Sequence, residues 1–168
     1  MPKRPSMREN AYEFRSALAS DFALAESLLK NRPELIDHAV FGDSESALHF
    51  FATENQIEIV DWLIDHNATP NGTSDDDSPL HAASQLGHLE ICRILVEAGA
   101  NLDSKDLLDE TPLHRASGGG HIKILELLLN SGADPSIPEM CGELPIDQAL
   151  PRKTVGIRAI FNRNLPSI

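Results

Sequence analysis

Seven histidines and 26 acidic side chains are the residues of this 168-residue chain whose types could carry chemistry. Histidine beside Asp or Glu can ligate a metal or move a proton. Cys92 and Cys141 could supply a nucleophile, Gly118-Gly119-Gly120 a phosphate-cradling turn, and Asp75-Asp76-Asp77 a hard-cation site. Each chemistry demands more than residue type. The glycine run lacks the lysine and the strand–loop–helix setting of a phosphate loop, so it reads as a thinned helix end. The aspartate run lacks the alternating ligands and distal glutamate of a calcium loop and reads as a solvated loop tip, or as a docking point for a partner's Lys or Arg. The cysteines form neither a metal-type pair nor a disulfide framework, and no base-bearing motif surrounds Cys141. No catalytic residue, metal or cofactor is expected.

The elements that must position these residues repeat. Pro112-Leu113-His114 follows Pro79-Leu80-His81 by 112 − 79 = 33 residues. The same shift carries Gly87-His88 to Gly120-His121, Gly99-Ala100 to Gly132-Ala133, and Pro112-Leu113 to Pro145-Ile146. Ala47-Leu48-His49 precedes Ala-less Pro79-Leu80-His81 by 79 − 47 = 32. Several motifs held in one phase mark a repeat architecture. Pro79, Pro112 and Pro145 sit where a helix can begin, because the first helical turn has no use for their missing N–H. Ser78 and Thr111 before them are N-cap types. Gly87 and Gly120 can end that short helix. A second helix follows, with helical periodicity through Ile91, Ile94, Leu95 and Ala98, then Ile124, Leu127, Leu128 and the equivalent Ser131.

On these residues the chain resembles the ankyrin repeat: Thr111-Pro112-Leu113-His114-x-Ala116 matches its T-P-L-H-x-A signature, and Ser78-Pro79-Leu80-His81 differs from it by one conservative change. The resemblance implies an all-α repeat solenoid of about five stacked helix–turn–helix repeats with hairpin-like finger loops. Its expected bounds are an N-terminal tail of residues 1–11, a single domain over 12–163 and a C-terminal tail over 164–168. Within the domain, repeats are expected over 12–40, 41–72, 73–105, 106–138 and 139–163. Both ends read as caps. The repeat shift keeps Ile157, Ile160 and Phe161 at inward positions while Arg158 and Asn162 replace leucines, and Ala25 and Ser27 soften the first pair. On that ground the chain is expected to be a whole functional unit.

The repeat also accounts for the histidines. His49, His81 and His114 share one slot, which in ankyrin repeats hydrogen-bonds backbone in the adjoining finger; His88 and His121 share another. Equivalent slots lie one repeat apart, too far to share a zinc ion with bonds of about 2 Å. Cys92 aligns with Val60 and Leu125 and reads as a small buried hydrophobe. Asn71 falls near the finger slot that an oxygenase hydroxylates in animal members of the family.

The net charge of −12 opposes binding to nucleic acid or to an anionic membrane and favours a basic or mixed-charge protein partner. Hydrophobic residues at 41% suffice for a core, and aromatics at 5% require it to be built from small and aliphatic side chains. No signal-peptide pattern or membrane-spanning run appears, so the default location is cytoplasmic, as a monomer.

In the family, partners lie in the concave groove made by finger tips and first helices. Carried over, those positions are Asp75, Asp77, Gln85 and Leu86, then Leu107, Leu108, Glu110 and Arg115, then Met140 and Glu143. Ser74, Gly118, Gly119, Cys141, Asp43, Glu45, Thr53 and Glu54 share the same face. Leu107-Leu108 stands out, because two leucines on a polar finger tip suit an interface core or, alternatively, pack on the neighbouring finger. Asp76 and Asp109 occupy the common finger-glycine slot, which puts the turn geometry in question. The resulting expectation is a non-enzymatic adaptor or inhibitor. The alternatives are an immunity- or antitoxin-type protein neutralising an enzyme, and a His/Asp-dependent hydrolase.

Overall fold

A computed structural model describes residues 7–41, 45–73, 77–149 and 154–164. Among them the helices run α1 (Met7–Leu18), α2 (Phe22–Asn31), α3 (Ala47–Thr53), α4 (Ile57–Asp65), α5 (Pro79–Leu86), α6 (Leu89–Glu97), α7 (Pro112–Gly119), α8 (Ile122–Asn130) and α9 (Thr154–Asn164). They stack as antiparallel pairs. One layer runs α3–α5–α7, the other α4–α6–α8, and α9 closes against α8. This is the expected all-α solenoid, with one addition: Ala39–Phe41 (β1) and Glu45–Ser46 (β2) form a short irregular antiparallel pair in the loop entering α3.

Local chemistry sets the boundaries. The Ser78 hydroxyl accepts from the His81 amide, and prolines open α5 and α7. Gly87 and Gly120 close those helices with left-handed φ of 81° and 68°. The second repeat has Asn55 at the slot of Gly87, and that asparagine takes the same conformation at φ 56°.

The core follows the composition. Leu48, Leu80 and Leu113 are fully buried in the first helices beside Ala47, Ala52, Ala83 and Ala116, small enough for close helix packing. Ile91, Leu95, Ile124, Leu125 and Leu128 fill the second layer. At the amino-terminal end the few aromatics gather: Phe22 stacks on Trp62 with ring centroids 5.5 Å apart, and His66 stacks on Trp62 at 3.7 Å. Ile157, Ile160 and Phe161 of α9 are buried while Arg158 is exposed, as a terminal helix with one wetted face requires. The side chain of Asn162 lies outside what is described.

The first four repeats are tied in succession by one recurrent bond. Asp37 accepts from the Thr69 amide at 2.8 Å, Asn71 from the Asn101 amide at 2.7 Å, and Asp103 from the Asp134 amide at 2.8 Å. These bonds sit at the bases of the fingers and hold their spacing.

Two expectations need correction. The amino-terminal tail is shorter than residues 1–11, because α1 begins at Met7 and buries Asn10 and Ala11. The fifth pair lacks its first helix over the described residues 145–149, which instead form tight turns. There the Asp147 carboxylate takes the Leu144 amide at 3.0 Å, and the Asp147 amide donates to the Leu144 carbonyl at 2.8 Å. A helix begun at Pro145 would also meet Pro151 within two turns, where the ring cannot continue it.

Candidate partner-binding surface

Four of the repeat-slot histidines are occupied by structure. His81 Nδ1 accepts the Ser78 amide at 3.2 Å, and His114 Nδ1 accepts the Thr111 amide at 3.0 Å. That fixes the neutral Nε2–H tautomer, whose proton is donated to the next finger: His81 to the Glu110 carbonyl at 3.0 Å, His114 to the Glu143 carbonyl at 3.2 Å. Burial depresses both imidazoles below their ordinary range. His88 and His121 reach backward instead, to the Thr53 carbonyl at 3.1 Å and the Gln85 carbonyl at 3.0 Å. No group of three His, Cys, Asp or Glu side chains among the described residues is placed to hold a metal.

The fourth finger tip, residues 106–110, is built on Asp106. Its Oδ1 accepts the amides of Leu108 at 2.8 Å and Glu110 at 2.9 Å, and its own amide donates to the Glu110 carbonyl at 3.0 Å. Asp109 takes the left-handed conformation at φ 61°, so the turn survives without the usual glycine. The fifth finger repeats the design: Glu139 accepts the amides of Cys141 at 2.8 Å and Glu143 at 3.0 Å, and Gly142 has φ 88°. The Met140 amide donates to the Leu108 carbonyl at 3.0 Å, setting the two tips side by side. Leu107 and Leu108 are 67% and 51% exposed and Met140 63%, so neither leucine folds down onto its neighbour.

The remaining predicted positions divide. Gln85, Leu86 and Glu143 are exposed on this face. Glu110 and Arg115, two of the expected contact positions, already hold partners within the protein. The Arg115 Nε lies 2.9 Å from Asp106 Oδ2 and 3.0 Å from Glu110 Oε2, and Glu110 Oε1 accepts from the Gln148 side-chain Nε2 at 2.6 Å. These groups satisfy one another because both acids are largely shielded from water, at 2% and 14% side-chain exposure. Burial pushes the Asp106 carboxyl up, but the Arg115 bond and the Leu108 and Glu110 amides outweigh it and hold it below its ordinary value.

Asp77 is likewise not a plain surface charge. Its Oδ1 is buried 3.5 Å from His81 Nδ1, with no hydrogen-bond partner among the described residues, and burial raises its pKa. Asp75 lies outside the described residues, as do Ser74, Asp76 and Asp43, and the Glu45 side chain is likewise not described. Sequence reasoning missed Asp106. Its signal was the acid that recurs at Glu139, 139 − 106 = 33 residues on, at the start of the following finger.

Comparison with known proteins agrees with this geometry. Residues 14–106 match the family model described as ankyrin repeats (3 copies), and residues 95–149 match ankyrin repeats (many copies). The chain is 38% identical over 60 residues to the histone-lysine N-methyltransferase EHMT1 of Homo sapiens, which is 34% of this chain and 5% of the relative. It is 33% identical over 94 residues to the E3 ubiquitin-protein ligase XBAT33 of Arabidopsis thaliana, covering 55% of this chain and 18% of the relative. To the probable E3 ubiquitin-protein ligase XBOS32 of Oryza sativa subsp. japonica it is 32% identical over 95 residues, 56% of this chain and 19% of that protein. The chain thus spans a fifth or less of each of these relatives. No helix among the described residues is long and apolar enough to cross a membrane.

Proposed function

The chain belongs to the ankyrin-repeat family, generally a non-catalytic protein-binding module, and from that premise we propose that it is an adaptor or inhibitor that holds one partner protein on its concave face. The observation that carries this reading is the apolar tip. Leu107, Leu108 and Met140 stand largely in water on two neighbouring fingers joined by the Met140–Leu108 backbone bond. Exposed apolar surface of this kind is costly unless covered, and a cluster with a polar surround has the layout of an interface centre and rim.

The partner segment is apolar where it meets this tip and basic around it. Glu143 is exposed beside Met140, and Asp109, exposed beside Leu108, lies 3.6 Å from the exposed Lys105, while the cation beneath, Arg115, is already neutralised by Asp106 and Glu110. A net charge of −12 adds long-range attraction for such a partner and opposes self-association, nucleic acid and anionic membranes. Two of the relatives' names denote ubiquitin ligases and one a methyltransferase, but the shared stretch is a small part of each, so no enzymatic activity is carried over.

The test is affinity capture with mass spectrometry, using Leu107→Asp with Leu108→Asp as the control. A specific partner retained by the wild type and lost by the double variant, with helical circular dichroism unchanged, is the expected result. Equal retention by both removes the leucines from the site.

A further inference from the structure

Arg115 rises from α7, the floor of the groove, and gathers the whole fourth tip. Its guanidinium grips Asp106 through both Nε and Nη2 and reaches Glu110 through Nε. Asp106 in turn holds the amides of Leu108 and Glu110 with its other oxygen. Gln148 secures Glu110 from the following repeat, and the His81 proton secures the Glu110 carbonyl from the preceding one. The two leucines therefore project from a loop whose polar groups are tied on three sides.

The other fingers show that this clamp is no general feature of the repeat. The slot of Arg115 is Gln148 in the fifth repeat, at 148 − 115 = 33, and Ala82 in the third, at 115 − 82 = 33. The fifth finger has the equivalent loop-holding acid, Glu139, but Gln148 turns to Glu110 instead. Among the described residues, only the finger bearing two exposed leucines has its acid gripped by an arginine. A surface ion pair contributes little, but here Nε and Nη2 converge on one oxygen, Oδ2, of an aspartate whose side chain is only 2% exposed, and a charge-assisted pair shielded in this way is stronger than an exposed one. Ordering a loop before its partner arrives removes that cost from binding.

We propose that Arg115 is a positioning residue for the Leu107–Leu108 tip: it touches no partner atom, and it presents both leucines in one preordered arrangement. This rests on the reading of that tip as the binding surface, and the occupant it commits to is a cationic amphipathic segment of a partner protein.

The experiment has two arms. In the free protein, hydrogen exchange at the Leu108 and Glu110 amides is compared between wild type, Arg115→Met and Arg115→Lys. Exchange at both amides rises about tenfold or more in Arg115→Met and is partly restored by Arg115→Lys, with Leu95 and Leu128 unchanged. In the second arm, a synthetic 16-residue amphipathic helix of leucine and lysine is the probe, titrated by fluorescence anisotropy. Its affinity falls about tenfold in Arg115→Met and is abolished by Leu107→Asp with Leu108→Asp. Unchanged exchange at Leu108 and Glu110 overturns the clamp. Faster exchange with unchanged peptide affinity overturns the positioning role. A wild type that ignores the peptide while its tip amides loosen in Arg115→Met overturns the partner reading instead, and leaves a clamp of purely structural purpose.

Discussion

The imidazole of His121 lies in the space that a side chain on Gly119 would fill. A Cβ built on Gly119 overlaps the His121 ring and comes within 3.0 Å of the Gln85 carbonyl oxygen, the acceptor of the His121 proton. Gly118, one residue earlier in the same helix, would meet only Gln148 Oε1, at 3.9 Å. The two adjacent glycines thus have opposite meanings.

Gly119→Ala should destabilise the fold by about 1–3 kcal/mol through steric displacement of His121. Gly118→Ala should leave it unchanged or raise it by up to about 1 kcal/mol, the helix-propensity gain of alanine. Urea titrations of the two variants separate these effects. Equal losses would mean that the ring does not depend on Gly119.

Ser117 has a fully buried hydroxyl with no partner among the described residues. Its counterpart one repeat earlier, Ser84, lies 3.7 Å from the Cys92 sulfur, but Leu125 stands at the cysteine slot in the fourth repeat. Ser117→Ala is therefore expected to stabilise the protein by roughly 1 kcal/mol, as removal of an unsatisfied buried hydroxyl does. Ser84→Ala should gain less. Chemical denaturation of both variants checks the order.

His81 and His114 set a pH dependence. Burial lowers both from an ordinary value of 6.5, so the unfolded chain takes up protons that the folded chain refuses. Stability then rises with pH, and this share is complete above about pH 6.5 and lost as pH falls through the lower folded values. Unfolding free energy measured from about pH 7.5 to about pH 5.5 should decline. His81→Gln with His114→Gln should be less stable at neutral pH but show a flatter decline. An equal slope in the double variant would assign the dependence elsewhere.

The two thiols should differ sharply in reactivity. Cys92 is fully buried, and burial pushes its pKa up to about 12, whereas Cys141 is exposed in the fifth finger. Only the thiolate reacts, so a water-soluble thiol reagent should label Cys141 alone in the native protein and both cysteines in urea. Labelling of a Cys141→Ser variant under native conditions would show that the α6 site opens.

The solenoid was legible in the sequence because its period is written several times in phase, through Pro79, Pro112 and Pro145 and the paired glycines. The repeat placed Leu107 and Leu108 on a finger, but whether they stand in water or pack on the neighbouring finger was open until the structure showed them exposed. The Asp106–Arg115 pairing was not legible. The residues are nine apart in sequence and meet only when the finger closes over α7, a separation with no helical or strand period behind it. That Glu110 and Arg115 already hold partners within the protein was illegible for the same reason. The missing inner helix at 145–149 shows the converse limit. Pro145 resembles the other helix starts, but the Asp147 side chain diverts the Leu144 amide into a turn.

The bonds from Asp37 to Thr69, Asn71 to Asn101 and Asp103 to Asp134 each set a side-chain acceptor of one repeat against a backbone donor of the next. Because the donor is a backbone amide, the joint asks for a particular side chain on one side only. Whole repeats could be copied or excised in register and leave no orphaned half-joint, while a cut in mid-repeat would strand one. The arginine clamp of the fourth finger uses none of these groups, so a change in it leaves the joinery in place.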